Sequence, residues 1–160
     1  MRLAVRRADA VTGEVVIGRP VRDVYAFYRD FANLPRFLGD VVAVQHVDDR
    51  PYRWVVAGPL GARLTLTVTI VEERVDEVIR FQTRGPAPLR AQWRLDFAAD
   101  QDGRATRVRE QLTMPLGALG RSMLALIGKF PDREVRDDLN RLKQLLESGA
   151  PLQAGQRGPR

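Results

Sequence analysis

"RDFANLPRFLGDVVAVQHV", residues 29–47, changes character midway. It begins as the end of an aromatic, amphipathic segment, breaks at Asn33-Leu34-Pro35, and becomes apolar and β-branched from Val41. Upstream, Val21, Val24, Tyr25, Tyr28 and Phe31 recur at helical spacing, and Pro20 suits a first helical turn. Pro35 disfavours the helical region for Leu34 and has no N–H of its own, so the helix of about three turns ends there. A second short helix is expected over residues 35–38, stopped by Gly39. Two short helices therefore stand between two strands: residues 11–17, where Val11, Gly13, Val15 and Ile17 alternate with polar positions, and residues 41–47.

Working outward, turn signals divide the next stretch into strands. Asp48-Asp49-Arg50-Pro51 precedes a strand over residues 52–57 that carries Tyr52, Trp54 and Val56 on one face. Gly58-Pro59-Leu60-Gly61 turns the chain into the clearest alternation in the sequence, Leu64, Leu66, Val68 and Ile70 against Arg63, Thr65, Thr67 and Thr69. Strands over residues 78–83, 90–97 and 106–114 follow, the last two joined by an Asp100–Gly103 turn. Seven strands result, six of them consecutive, which implies an antiparallel sheet. The final third reads as helix. Leu116, Leu119, Met123, Leu126, Ile127 and Phe130 keep spacings of three and four, Pro131 interrupts, and Val135, Leu139, Leu142 and Leu146 continue the stripe until Gly149 and Pro151. A single domain over residues 1–149 and a disordered tail over 150–160 are expected.

Composition narrows the chemistry. The 160 residues contain no cysteine, which excludes disulfides, thiolate metal sites and cysteine nucleophiles. The formal charge is +6, and all but two of the 26 basic residues are arginine, spread through the chain. That distribution suits a solvated basic exterior, and no nucleic-acid partner is expected. No apolar run reaches the ~20 residues of a membrane span, and the basic start lacks a signal peptide's apolar region, so a cytoplasmic location is expected. The only serines, Ser122 and Ser148, lie in no nucleophile elbow. One histidine and adjacent acidic pairs that point apart, Asp48-Asp49, Glu72-Glu73 and Asp137-Asp138, make no metal site; these acids read as solvated charges. "GPLGARL" lacks the Gly-Lys-Ser/Thr of a phosphate loop, and no cofactor motif is present.

The order of elements, with the stretches "VVIGRPVRDVYAFYRDFANLPRFLGDVVAVQHVDD", "YRWVVAGPLG", "GRATRVREQLTM" and "DDLNRLKQLLESG", resembles the START-like (SRPBCC) superfamily. Within it, the chain is most similar to the polyketide cyclase/dehydrase and lipid-transport type related to coenzyme Q-binding proteins. The resemblance implies an α+β helix-grip fold, in which a curved seven-stranded antiparallel sheet wraps around a long C-terminal helix and two short helices between strands 1 and 2 plug one end. It also implies a cavity between sheet and helix. The inward positions that would line it are Trp54, Val56, Leu66, Val68, Phe81, Trp93, Leu95, Val108 and Leu112, faced by Met123, Ile127, Val135, Leu139 and Leu142.

The expected function is binding or transport of a hydrophobic small molecule (a lipid, isoprenoid quinone or polyketide) without turnover or cofactor. A polyketide cyclase/dehydrase and a protein-interaction module are the alternatives, because one scaffold hosts many activities. The catalytic alternative has two candidates. Glu110 shares the inward face of its strand with Val108 and Leu112, where it could act as an acid/base, though its plainest role is to pair with an arginine. His46 has a suitable intrinsic pKa but stands beside a surface turn. Residues 116–130 could form a lid or a peripheral membrane or protein contact. Their thin polar face, Arg121, Ser122 and Lys129, favours core packing instead. Oligomeric state is left open.

Overall fold

A computed structural model describes residues 9–46, 48–85, 90–114 and 131–149. Its strands are β1 (Asp9–Ile17), β2 (Val41–Gln45), β3 (Tyr52–Ala57), β4 (Arg63–Arg74), β5 (Val78–Arg84), β6 (Arg90–Asp100) and β7 (Ala105–Met114). They form one antiparallel sheet in the order β1-β7-β6-β5-β4-β3-β2, a six-strand meander closed at one edge by the first strand. The helices are α1 (Val21–Arg29) and α2 (Pro131–Glu147), with a 3-10 helix, Phe31–Arg36, between α1 and β2. This is the helix-grip architecture. Residues 1–8, 47, 86–89, 115–130 and 150–160 lie outside the described residues, and with them Met123, Ile127 and the expected helix, lid and tail.

The opening stretch departs from expectation in two linked respects: α1 ends at Arg29, before the Asn33-Leu34-Pro35 break, and the next helix starts early. No short helix begins at Pro35; the 3-10 helix begins at Phe31 and carries Pro35 inside it. The reason is local. Asp30 adopts an extended conformation that ends α1, and its carboxylate accepts from the Ala32 N–H, starting the next helix at once. Asn33 then stays buried, its side-chain amide donating to the Phe27 carbonyl at 3.1 Å.

Side-chain alternation places the core between the inner face of the sheet and the two helices. From α2, Val135, Leu139, Leu142 and Leu146 are buried together on one stripe. The helix lies along β1, where Lys143 donates to the Val16 carbonyl at 2.7 Å and the Glu147 carboxylate accepts from the Gly18 N–H at 2.8 Å. These contacts cover a sheet edge that would otherwise offer unpaired backbone groups.

Gly13 permits this approach. A Cβ built there would stand 2.7 Å from Val135 Cγ1 and 3.0 Å from Leu139 Cδ1. Valine is stiff at χ1, so the helix would have to move. Gly13→Ala is expected to cost about 1–3 kcal/mol through overpacking. Thermal melting checks this, and an unchanged melting temperature would place α2 further from β1 than described.

Candidate functional site

Strand register arranges the inner face in rungs. One rung runs Glu73, Ile79, Leu95, Glu110, Gly13 across β4, β5, β6, β7 and β1. Its two carboxyl groups have opposite surroundings. Glu73 reaches this face because a bulge between Ile70 and Glu72 shifts β4 by one residue. There it accepts from Arg29 Nε at 2.6 Å and from the Tyr25 hydroxyl at 3.0 Å, tying α1 to the sheet. The Arg29 guanidinium holds its carboxyl below the usual range, against the opposing effect of partial burial. Glu72 points outward to Arg80 at 2.7 Å. The expectation that both are merely solvated charges therefore fails for Glu73, since alternation alone does not reveal the bulge.

Glu110 is 1% exposed, and its Oε1 has no hydrogen-bond partner. No arginine among the described residues pairs with it. Its neighbours along β7, Val108 and Leu112, are also buried, as is Leu95 across from it. Burial pushes its pKa up to about 8, and the nearby Asp138 carboxyl adds to the shift. Asp138, on α2, is itself largely buried and accepts from the Gly39 N–H at 3.2 Å and from Arg141. Desolvation raises its pKa despite those donors, so it too is more than a solvated charge. The buried Tyr28 hydroxyl, on α1, is pushed well above its ordinary value by burial and then by the Glu110 and Asp138 carboxyls. Three titratable groups from β7, α1 and α2 thus converge on one interior region.

An aromatic cluster occupies the neighbouring rungs. Phe31 of the 3-10 helix packs edge-on against Trp54 and Phe81, each with ring centroids 5.5 Å away, and Phe81 stacks on Trp93 at 5.8 Å. The indole Nε1 atoms of Trp54 and Trp93 are both buried without a hydrogen-bond partner. Indole N–H groups normally find partners when buried, so two unpaired donors and one unpaired carboxyl oxygen on the same face form an unusual set. Polar atoms of this kind are invisible to a pattern of apolar spacing, which registers the tryptophans only as bulk.

The other expected lining residues fall on this same face. Val68, Val135, Leu139 and Leu142 are buried, and Val56 and Leu66 pack half-buried against the core. His46 stands apart from them. It is exposed, stacks on Tyr52 with ring centroids 4.1 Å apart, and follows β2 at the sheet edge, separated from β7 by four strands. It cannot act together with Glu110. Among the described residues, no group of three or more His, Cys, Asp or Glu side chains could hold a metal ion, and no helix is long and apolar enough to cross a membrane.

The fold recurs in solved structures. A Deinococcus radiodurans protein is 26% identical, with 88% of this chain and 99% of that chain covered and a TM-score of 0.67. A START superfamily protein from Mycobacterium smegmatis is 14% identical, covering 87% of this chain and 97% of that one at a TM-score of 0.67. The chain also matches half of BexL, a di-domain ARO/CYC from the BE-7585A biosynthetic pathway, at 20% identity, 88% coverage of this chain and a TM-score of 0.62. Comparison with curated proteins finds no significant match. Residues 8–147 match the family described as polyketide cyclase / dehydrase and lipid transport, and the chain belongs to that family.

Proposed function

We propose that the protein binds an apolar, carbonyl-bearing small molecule, such as an isoprenoid quinone or a polyketide, between the sheet and α2. The observation that carries this reading is the set of unpaired polar atoms on an otherwise apolar inner face: Trp54 Nε1, Trp93 Nε1 and Glu110 Oε1. A buried donor without a partner costs roughly 1–3 kcal/mol. A ligand with carbonyl oxygens would satisfy the two indoles, and a ligand hydroxyl or carbonyl could meet Glu110. Aromatic faces around them suit a flat or conjugated molecule. Transport without turnover is the simplest use of such a site.

The same residues support a second reading, a cyclase or dehydrase. Glu110, with its pKa pushed up to about 8, would exchange a proton readily near neutral pH, as a general acid/base requires. A folded polyketide chain held against it would gain from proximity alone.

Native mass spectrometry of gently purified protein, followed by organic extraction, distinguishes the outcomes. A stoichiometric quinone, lipid or polyketide that is lost in Trp93→Phe, a variant lacking only the indole N–H and part of the ring, supports the reading. Protein that carries no small molecule and whose melting temperature is unmoved by a panel of quinones and polyketides overturns it. Conversion of a bound polyketide, abolished in Glu110→Gln, would select the enzymatic alternative.

A further inference from the structure

We propose that the outer face of the sheet docks on an anionic lipid membrane. Strand register carries the argument. Gln45 pairs with Arg53, Arg53 with Thr67, Thr67 with Arg84, and Arg84 with Arg90, so one continuous rung crosses β2 to β6. Every member of the rung is exposed. Three are arginines, and the side chain of none of the three makes an ion pair or hydrogen bond among the described residues, whereas on the same face Arg80 is engaged with Glu72, Arg94 with Asp96, and Arg107 with Glu14 and Asp100.

Arg84 and Arg90 are direct cross-strand partners. Like charges placed so are destabilising, and nothing within the fold requires them there. An anionic surface removes that repulsion. The adjacent rung, with Thr69, Gln82 and Gln92 among its members, is neutral and able to hydrogen-bond, so no carboxylate interrupts the patch.

The occupant is chosen by what accompanies the charge. The outward positions of these rungs hold no aromatic side chain on which a base could stack. Instead, the hairpin joining β3 to β4 presents Leu60 fully exposed and in the left-handed region, with φ of 58°. Such a conformation is uncommon for a non-glycine residue. Arg63 follows it as the first residue of β4, also exposed, and Val42 at the start of β2 is a second exposed apolar residue at that end of the sheet. An apolar tip at the end of β3 and β4, four residues along those strands from the rung of guanidinium groups and with Arg63 between them, matches a bilayer, which takes the leucine at the headgroup boundary and the arginines at anionic lipids. The inference does not depend on the interior holding a ligand.

Sedimentation with phosphatidylcholine vesicles, with and without phosphatidylserine, tests it. The wild-type protein is expected to bind only the phosphatidylserine vesicles, and less so as salt is raised. Each arginine near such a surface contributes about fivefold in partitioning, so a triple variant Arg53→Gln, Arg84→Gln, Arg90→Gln should lose about a hundredfold. Leu60→Ser should weaken binding as well, while Arg107→Gln, which removes an already paired arginine, should leave it within about twofold. The triple variant is expected to melt at or above the wild-type temperature, showing that the fold is kept. Wild-type protein that ignores phosphatidylserine vesicles, a triple variant that binds as well as wild type, or a preference for duplex DNA over vesicles would each overturn the proposal.

Discussion

Leu139→Asp is expected to abolish the cooperative melting transition. Leu139 is 2% exposed in the middle of the buried stripe of α2, and it faces β1 where Gly13 lets the helix approach most closely. Removing a buried leucine side chain alone costs about 2–5 kcal/mol. The aspartate adds an unpaired carboxylate to the same helix as Asp138, whose pKa burial already raises. The sum reaches about 5 kcal/mol or more, comparable to the whole stability of an ordinary domain. Leu139→Met, close in volume, should cost less than about 1.5 kcal/mol. Near-ultraviolet circular dichroism and thermal melting separate the two. An aspartate variant that melts within a few degrees of wild type would mean that Leu139 does not face the core.

Glu110→Gln is expected to stabilise the protein in a pH-dependent way. The folded-state pKa, about 8, lies above the ordinary 4.5. Between those values the unfolded chain has released its proton while the fold retains it, so rising pH favours unfolding by about 1.4 kcal/mol per unit. The cost is absent below the lower value and complete above the higher one, where it is about 5 kcal/mol. Glutamine has no proton to release. At pH 8 the variant should therefore melt about 10 °C above wild type, and at pH 4 the two should nearly coincide. Asp138 and Tyr28 face the same region and remain in the variant, where both lose their interaction with the Glu110 carboxylate, so the difference between the two curves includes that coupling. Denaturation of both proteins at several pH values tests this. A difference that does not change with pH would show that Glu110 titrates like a solvated carboxyl. The test also bears on function, because a ligand hydrogen-bonded to Glu110 would shift the wild-type curve and leave the variant's unmoved.

Much of this architecture was legible in single segments. Alternation in "RLTLTVTI" identified an inward and an outward face, and turn residues separated the strands of the meander. Spacings of four, three and four from Val135 to Leu146 identified the buried stripe of α2. The placement of Glu110 beside Val108 and Leu112 followed from period two alone. Its lack of a partner did not. Which group stands opposite depends on β6, α1 and α2, which are distant in sequence. The 3-10 helix was misplaced because Pro35 reads as a stop, when the Asp30 cap had already begun a tighter helix that accommodates it.

Sequence by itself determined most of the elements, their order and, where no bulge intervenes, the face each side chain takes, because those depend on steric preferences and periodicities within a few residues. Tertiary structure alone decided which residues share a rung. The bulge after Ile70 turns Glu73 inward to Arg29, pairing brings Arg84 against Arg90, and the approach of α2 at Gly13 sets Asp138 near Glu110. Register is a relation between strands, set by bulges, turns and the packing of the whole inner face, and the electrostatics of this protein follow from it.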